Sequence, residues 1–285
     1  MSFPLRRRAG WLLIRLVFTI TLLGSGSLGN CSLIESGKAR ILVDGGLSAK
    51  QITLRLASLG VEISTLDGIL VTHEHADHVG GLRVLCKKEP IPVYCTSLTA
   101  EMLRKHELAL HPNVRQFRAG DRFEIGDITV QSFSVPHDAV DPVGYTFFHG
   151  NESLGYLTDL GKCTNLARER VRGVSTLVIE TNHDVQMLQN DPHRTWALKQ
   201  RIMSIHGHLS NAAAAAELEG LLDHGLNRAI LCHLSRDCNS PELAMKEVGA
   251  RLAAAGAAES VEIYCAAQKE ISPRFAIRSR QESFL

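Results

Sequence analysis

The sequence predicts a layered α/β protein with a buried core. In a chain of 285 residues, short apolar runs rich in β-branched residues alternate with segments of helical periodicity, which is the pattern of strands covered by helices. Hydrophobic residues make up 45% of the chain and charged residues 21%, so the chain can bury a sizeable core. Histidines and carboxylates recur directly after the apolar runs, at the strand ends where α/β sheets gather their functional sites.

The first half is predicted to consist mainly of strands joined by tight glycine turns. We predict strands over residues 16–23, 31–35, 40–43, 68–72, 91–95, 123–125 and 128–130, and a strand that ends at His137. Ser48 is the expected N-cap of a helix with one apolar face, which ends at Gly60. Further helices are predicted over residues 79–88 and 98–107.

The second half alternates strands and helices more regularly. We predict strands over residues 145–149, 153–157, 176–180, 228–232 and 261–266. Helices are predicted up to Ser204, from Ser210 or Asn211 to His224, and from Pro241 onward. Residues 16–272 are therefore expected to form one domain, with an extension at residues 1–15 and a loose basic tail at residues 273–285.

The N-terminus partly resembles a secretory signal. Three arginines at residues 6–8 precede an apolar stretch at residues 11–23. Arg15 divides this stretch, however, and residues 17–21 have the branched and aromatic composition of a strand. We therefore expect a start site assigned too far upstream, and a cytoplasmic protein instead of an exported one. No other apolar run approaches the ~20 residues that a membrane span needs.

The net charge and the cysteines exclude several classes of protein. A net charge of +1 creates no global basic field that would attract nucleic acid, so such a substrate would need a local patch. The seven cysteines form no CxxC pair, which excludes a zinc finger or a thioredoxin-like motif. We expect buried thiols in a reducing cytosol.

A cluster of metal-ligand residue types follows the strand predicted at residues 68–72. Within six positions the chain carries His73, His75, Asp77 and His78. In an extended segment, residues two apart point the same way, so His73 and His75 can bind one ion together. A turn would then bring Asp77 and His78 towards a second ion. A His/Asp set without thiolate favours a catalytic site for Zn²⁺, Mn²⁺ or Fe over a structural one.

The segment around these residues resembles the signature of the metallo-β-lactamase superfamily. It reads Thr72-His73-Glu74-His75-Ala76-Asp77-His78-Val79-Gly80-Gly81. The resemblance extends from about Leu16 to Ala266 and implies a four-layer αββα sandwich. It also implies the ligands of two divalent metal ions: His73, His75 and His137 for one, Asp77, His78 and His233 for the other, and Asp159 as a bridge beside a shared water or hydroxide.

The later ligands occur in the order that the superfamily pattern requires. His137, Asp159 and His233 each follow a predicted strand. Two ions ~3.5–4 Å apart would lower the pKa of the water between them and neutralise charge on the oxygen under attack. Asp77 would be both a ligand and a base that orients this water or takes its proton. The resemblance therefore implies a metal-dependent hydrolase.

Segments of the second half resemble the YycJ/WalJ-type branch of the superfamily, which is related to RNase Z and RNase J. They are Glu180-Thr181-Asn182-His183-Asp184, Gly207-His208-Leu209-Ser210-Asn211 and a glycine-rich loop at residues 24–30. The loop departs from the branch's pattern at Leu28, where Ser is usual. The branch is associated with 5′→3′ exonuclease activity on DNA. In RNase Z-like enzymes a Glu and a His at these positions donate a proton, which implies that Glu180 assists His208 in protonating the leaving oxygen.

Two other functions remain open from the sequence, as does the oligomeric state. The same metal site could hydrolyse the carbonyl of a lactone, thioester or β-lactam, because this fold supports many reactions. The chain could also be a non-catalytic binding protein that has kept the fold. Candidate phosphate contacts are Lys87-Lys88 and the arginines within residues 168–172 and 194–201. Histidines without a partner pattern are interpreted as structural or surface residues: His106, His111, His149, His193, His206 and His224.

Overall fold

Two β-sheets packed face to face form the centre of the molecule. The structure, a computed structural model, describes residues 18–105 and 113–279. Within these ranges each sheet has seven strands, and helices cover both outer faces. Separate apolar clusters fill the space between the sheets and the space under each helical layer. The predicted αββα sandwich is confirmed.

The strands and helices follow one another in a regular order along the chain. The strands are β1 (Thr19–Gly24), β2 (Cys31–Glu35), β3 (Arg40–Val43), β4 (Gly68–Leu70), β5 (Val93–Thr96), β6 (Val114–Phe117), β7 (Arg122–Ile125), β8 (Ile128–Ser134), β9 (Val143–His149), β10 (Glu152–Leu157), β11 (Thr176–Glu180), β12 (Arg228–Cys232), β13 (Glu262–Cys265) and β14 (Phe275–Ala276). The helices are α1 (Ala49–Ser58), α2 (Ala76–Val79), α3 (Leu82–Lys88), α4 (Ser97–Lys105), α5 (Asn165–Val171), α6 (Val185–Asn190), α7 (Trp196–Ile202), α8 (Asn211–Glu219) and α9 (Pro241–Ala254). One sheet has the order β14-β1-β2-β3-β4-β5-β6 and the other β13-β12-β11-β10-β9-β8-β7.

Alternation along the strands assigns side chains to the layers. In β11, Val178 belongs to the cluster between the sheets, whereas Leu177 and Ile179 belong to the cluster under α8 and α9. In β3, Ile41 and Leu42 divide in the same way between the inner cluster and the cluster under the other helical layer. Each such side chain contributes roughly 1.5–3 kcal/mol when it is fully buried.

The strand directions bring several carboxyl ends to one edge of the sandwich. Strands β10 to β13 run parallel to one another. Strand β8 runs antiparallel to β9, and β9 antiparallel to β10, so β8 points the same way as β10. In the other sheet, β3 to β6 are parallel as well. Loops that leave these ends carry the candidate site residues.

Three predicted elements differ from the observed ones. Residues 128–134 form one strand instead of the two predicted, because Gln131 and Ser132 continue the pairing with β9. Asp77 and His78 lie on the short helix α2 instead of a turn. Strand β6 was not predicted, since half of its residues are exposed and polar.

The prediction of a loose tail after Ser272 is wrong for residues 273–279. Strand β14 pairs with β1, and the Ile277 amide donates to the Phe18 carbonyl at 2.8 Å. Phe275 and Ile277 are buried, and the Arg228 guanidinium lies 5.1 Å from the centre of the Phe275 ring. Phe275 and Ile277 alone are too few apolar residues to give a periodic pattern in the sequence. The strand that they anchor nevertheless forms the edge of a sheet.

Several predictions concern residues outside the described ranges. They are the extension at residues 1–15, the end of the helix predicted to residue 107, His106, His111, and the tail at residues 280–285. Among the described residues, no helix combines the length and apolar content required to cross a membrane.

Candidate metal centre

Loops at one edge of the sandwich bring the predicted metal ligands together. His73 follows β4, His137 follows β8, Asp159 follows β10 and His233 follows β12. Donor atoms within 4.8 Å of one another form these groups: His73, His75 and His137; Asp77, His78 and His233; His73, His78 and Asp159; and Asp159, Glu180, His208 and His233. The first two groups have the composition of the two ligand sets that the superfamily resemblance implies. Asp159 lies in the groups that connect them.

The first group consists of three imidazoles in contact. The ring centres of His73 and His75 lie 4.6 Å apart, and those of His73 and His137 lie 5.0 Å apart. His137 Nε2 is 3.3 Å from His75 Nδ1. His137 Nδ1 donates to the Gly207 carbonyl at 3.0 Å, which leaves its Nε2 for a ligand role.

The second group joins a short helix to the loop after β12. Asp77 Oδ2 lies 3.3 Å from His233 Nε2 and 3.6 Å from His78 Nε2. His78 Nε2 is 3.1 Å from Asp159 Oδ2. Asp77 is the more open member, with 28% of its side chain exposed, whereas the His78 side chain is completely buried.

The donor set fits metal ions better than it fits hydrogen bonds alone. His73 Nε2 is buried and makes no hydrogen bond, which is costly unless another partner satisfies it. Burial lowers the pKa of His73 well below its ordinary value. Burial opposes the charge of Asp159, but His233 and His78 outweigh it and hold the pKa of Asp159 well below its usual range. A neutral imidazole and an ionised carboxylate are the forms that bind metals.

The backbone is strained at three points around this centre. Asp44, Asp159 and His233 have φ angles of 62°, 55° and 54°, in the left-handed region that non-glycine residues seldom occupy. Such strain persists where surrounding contacts over-determine the conformation, and it concentrates at functional sites. All three residues lie in loops that follow strands of the site edge.

Asp44 is a site residue that sequence reasoning missed. Its carboxylate accepts from Nδ1 of His78 at 2.8 Å and from the Thr72 amide at 2.8 Å. The Thr72 hydroxyl also donates to it. Asp44 therefore orients the His78 ring with Nε2 towards the cluster. The sequence signal was an aspartate directly after β3, a position that other site residues also occupy after their strands.

The glycine-rich loop at residues 24–30 also contacts the second ligand group. The Asn30 amide donates to the Asp77 carbonyl at 2.8 Å, and Asn30 Nδ2 lies 3.2 Å from His78 Nε2. Ser25 Oγ donates to Asn30 Oδ1 and accepts from the His233 amide at 2.8 Å. The loop thus helps to hold Asp77, His78 and His233 in position through these contacts.

Glu180 and His208 form a hydrogen-bonded pair at the site. Glu180 Oε1 accepts from Nδ1 of His208 at 2.8 Å and from Nδ1 of His233 at 2.7 Å. Its Oε2 accepts from the amides of Leu160 and Leu209. Burial opposes its charge, but the neighbouring His208 outweighs it, and the pKa of Glu180 is about 2. Glu180 is thus ionised, and both of its oxygen atoms accept hydrogen bonds, including those from the imidazoles of His208 and His233.

His208 remains partly accessible. Burial opposes its positive charge, but the Glu180 carboxylate outweighs this and raises the pKa of His208. The ring lines a cavity of about 340 Å³ together with His75, Asp77, Arg194 and Arg201. A protonated His208 can therefore give a proton to a molecule bound in this cavity.

Comparison with known proteins agrees with this geometry. The sequence profile described as Beta-lactamase superfamily domain matches residues 39–234, from the residue before β3 to the residue after His233. Exodeoxyribonuclease YycJ of Bacillus anthracis is 37% identical over 230 residues, which cover 80% of this chain and 86% of that protein. Exodeoxyribonuclease WalJ of Streptococcus pneumoniae serotype 2 is 38% identical over 230 residues, covering 80% and 85%. The chain belongs to the metallo-β-lactamase superfamily, in its YycJ/WalJ branch.

The superfamily fold also covers nearly the whole molecule. The crystal structure of the metallo-β-lactamase fold protein YhfI from Bacillus subtilis covers 91% of this chain and 100% of that one, with a TM-score of 0.68. The sequences are only 18% identical, so this likeness concerns the fold alone.

Some of the other candidate arginines and histidines lie at the site, and the others lie elsewhere in the protein. Arg194 and Arg201 line the cavity, whereas Arg168 pairs with Glu217 between α5 and α8. His183 is buried close to the centre with an unpaired Nδ1, and burial lowers its pKa to about 4. The histidines interpreted as structural or surface residues lie outside the ligand groups of the described residues: His149, His193, His206 and His224.

Proposed function

We propose that the chain is a dinuclear metal-dependent phosphodiesterase that removes nucleotides from DNA in the 5′→3′ direction. The observation that carries the proposal is the convergence of imidazole and carboxylate donor atoms, with the buried His73 Nε2 unpaired, beside a cavity with a protonatable histidine. The names of its full-length relatives, both exodeoxyribonucleases, support DNA as the substrate.

We assign the ligands of two divalent ions, Zn²⁺ or Mn²⁺ with Fe as an alternative, to residues of both sheets. The ligands are His73, His75 and His137 for one ion, Asp77, His78 and His233 for the other, and Asp159 between them. When bound, such a pair lowers the pKa of water towards neutrality and neutralises charge on a phosphate.

The side chains around the ions would accept and donate the protons of the reaction. Asp77 is open to the cavity and can orient water or accept its proton. His208 holds a proton on the cavity side, because Glu180 accepts its Nδ1–H and raises its pKa. It can deliver that proton to the leaving oxygen. Glu180 is completely buried and acts through His208 without touching substrate.

We also propose a reducing, cytoplasmic setting. The seven cysteines are free thiols, and six of them are buried. Burial raises the pKa of Cys86 to about 11 and that of Cys163 to about 12, so these thiols stay protonated and unreactive at neutral pH.

The proposal is tested with labelled DNA. Duplex and single-stranded DNA carrying a label at the 5′ or the 3′ end is incubated with the protein and Mn²⁺ or Zn²⁺. We expect early release of a 5′-terminal label and progressive shortening of the 3′-labelled strand. His75→Ala and His208→Ala should lose most of this activity. Degradation that survives His75→Ala would instead come from a contaminant.

The same preparation separates the rival reactions. We expect turnover of bis-p-nitrophenyl phosphate and none of nitrocefin or a thioester. The reverse result would make the protein a carbonyl hydrolase. A metal-replete protein that is inactive on every substrate would be a binding protein that has kept the fold.

A further inference from the structure

A second cavity adjoins the one at the candidate metal centre. It has a volume of about 590 Å³ and lies between the end of α6, the following loop and residues 236–237. Arg194 lines both cavities, so the two are neighbours, and together they are termed the groove. A small carbonyl substrate would fit within the first cavity and leave this extension unused.

The groove carries two arginines held side by side. Asp237 Oδ2 accepts from Nη2 of Arg194 at 3.1 Å, and its Oδ1 accepts from Nε of Arg236 at 3.1 Å. Arg194 is also anchored by Asp191, which is itself buried against the loop. The Arg236 side chain is 71% exposed, so its guanidinium is available to a ligand.

A third arginine lies nearer the metal centre. Arg201 Nε donates to Asp138 Oδ2 at 2.6 Å, while the other oxygen of Asp138 is 3.3 Å from His137 Nε2. The three arginines therefore follow the groove from the candidate ligands outward. Planar guanidinium groups bind phosphate through paired hydrogen bonds, and ion pairs that pre-order them reduce the entropy lost on binding.

We propose that Arg201, Arg194 and Arg236 bind successive backbone phosphates of a nucleic-acid strand whose end reaches the metal centre. This inference rests on the proposed function and adds to it the path of the polymer. The contacts are made to phosphates and not to bases, so they hold the strand without reading its sequence.

The test is the salt dependence of binding, measured by fluorescence anisotropy on the metal-loaded protein. The probe is a fluorescein-labelled phosphorothioate oligodeoxynucleotide, which resists hydrolysis. We expect Arg236→Ala to weaken binding about tenfold at low salt, equally for different base sequences, and to reduce the slope of log K against log[salt] by about 0.7. Arg236→Lys should retain most of the slope.

Arg251→Ala is the matched control. Arg251 is also exposed and paired with an acid, Glu219, but it lies outside both cavities. Its slope should equal that of the wild type. Equal slopes for Arg236→Ala and Arg251→Ala, in a protein that does hydrolyse DNA, would contradict the phosphate contacts and leave the proposed function standing. A wild-type protein that neither binds nor hydrolyses nucleic acid would overturn both.

Discussion

At the scale of single residues, the candidate site depends on side chains that act through others. Glu180 holds His208 and His233 by the two hydrogen bonds of one oxygen atom, and Asp44 holds His78. These acids are completely buried and do not reach the cavity. Their removal should therefore change the orientation or protonation of a partner instead of a direct contact with substrate.

Replacement of His208 tests proton donation. We expect His208→Gln to lower kcat for an alkoxide leaving group about 10²–10⁴-fold, the range for loss of a general acid. Metal content, measured by mass spectrometry of the digested protein, should stay at the wild-type value. His206→Gln, a change at an exposed neighbour, should keep full activity. Equal kcat values for both variants would rule out His208 as the acid.

Replacement of Asp44 tests the positioning of His78. Asn tolerates the left-handed conformation that Asp44 adopts, so Asp44→Asn removes the charge with little backbone strain. We expect metal affinity to fall roughly 10–100-fold, the usual effect of losing a carboxylate behind a ligating histidine. Competition with a chromophoric chelator measures it. Asp223→Asn, at an exposed acid far along the chain, is the control, and an affinity drop of equal size there would contradict the assignment.

The candidate ligands could be predicted from the sequence, but the residues that hold them in position could not. Four of the ligand types occur within six positions, and the others follow strands that local composition indicates. Asp44 and Asn30 lie in turns that suit many aspartates and asparagines. Only their contacts with His78 and Asp77, 34 and 47 residues away, distinguish them.

At the scale of elements, the end of the chain is part of the sheet. Strand β14 extends the first sheet beyond β1, and Arg228 of the second sheet donates to the Ala276 carbonyl at 2.7 Å. This short strand therefore links both sheets at the end of the domain.

A truncating substitution tests this contribution. We expect Ile277→Ala to lower the free energy of unfolding by about 2–5 kcal/mol, because a fully buried side chain leaves a cavity. Urea denaturation followed by circular dichroism measures the change. Arg278→Ala, at the exposed next residue, should change stability by less than about 0.5 kcal/mol. A similar small change for both would mean that residues 273–279 are indeed a tail.

Predictions of elements succeeded where the signal was local. Ser48, Ser210 and Ser240 each cap a helix by accepting from an amide three residues on, and the start of each helix was predicted from such residues or from Pro241. Strands β6 and β14 were missed because an edge strand needs few apolar residues. Their existence depends on a neighbouring strand that supplies the hydrogen bonds.

At the scale of the whole molecule, the two sheets are joined at the site edge by the candidate ligands. His73, His75 and His78 come from the first sheet, whereas Asp159 and His233 come from the second. Ions bound to both sets would therefore connect the halves of the sandwich, so metal binding and stability should be coupled.

Metal removal tests this coupling. We expect dialysis against a chelator to lower Tm, and Zn²⁺ at about a hundredfold excess over Kd to restore about 2.7 kcal/mol of stability. Differential scanning calorimetry measures both. His75→Ala should lose most of the metal-dependent gain, whereas His206→Ala should keep it. An unchanged Tm for wild-type protein with and without metal would argue against ligands shared between the sheets.

The sequence by itself determined the fold class, the superfamily, the candidate ligand residues and most helix starts. Those signals depend on residues that are close along the chain. Tertiary structure alone decided which side chains support the candidate ligands, how the last strand joins the sheet and which two cavities share Arg194. The physical reason is distance in sequence: Ser25 and His233, which share a hydrogen bond, are 208 positions apart, and only the packing of the sheets brings them together.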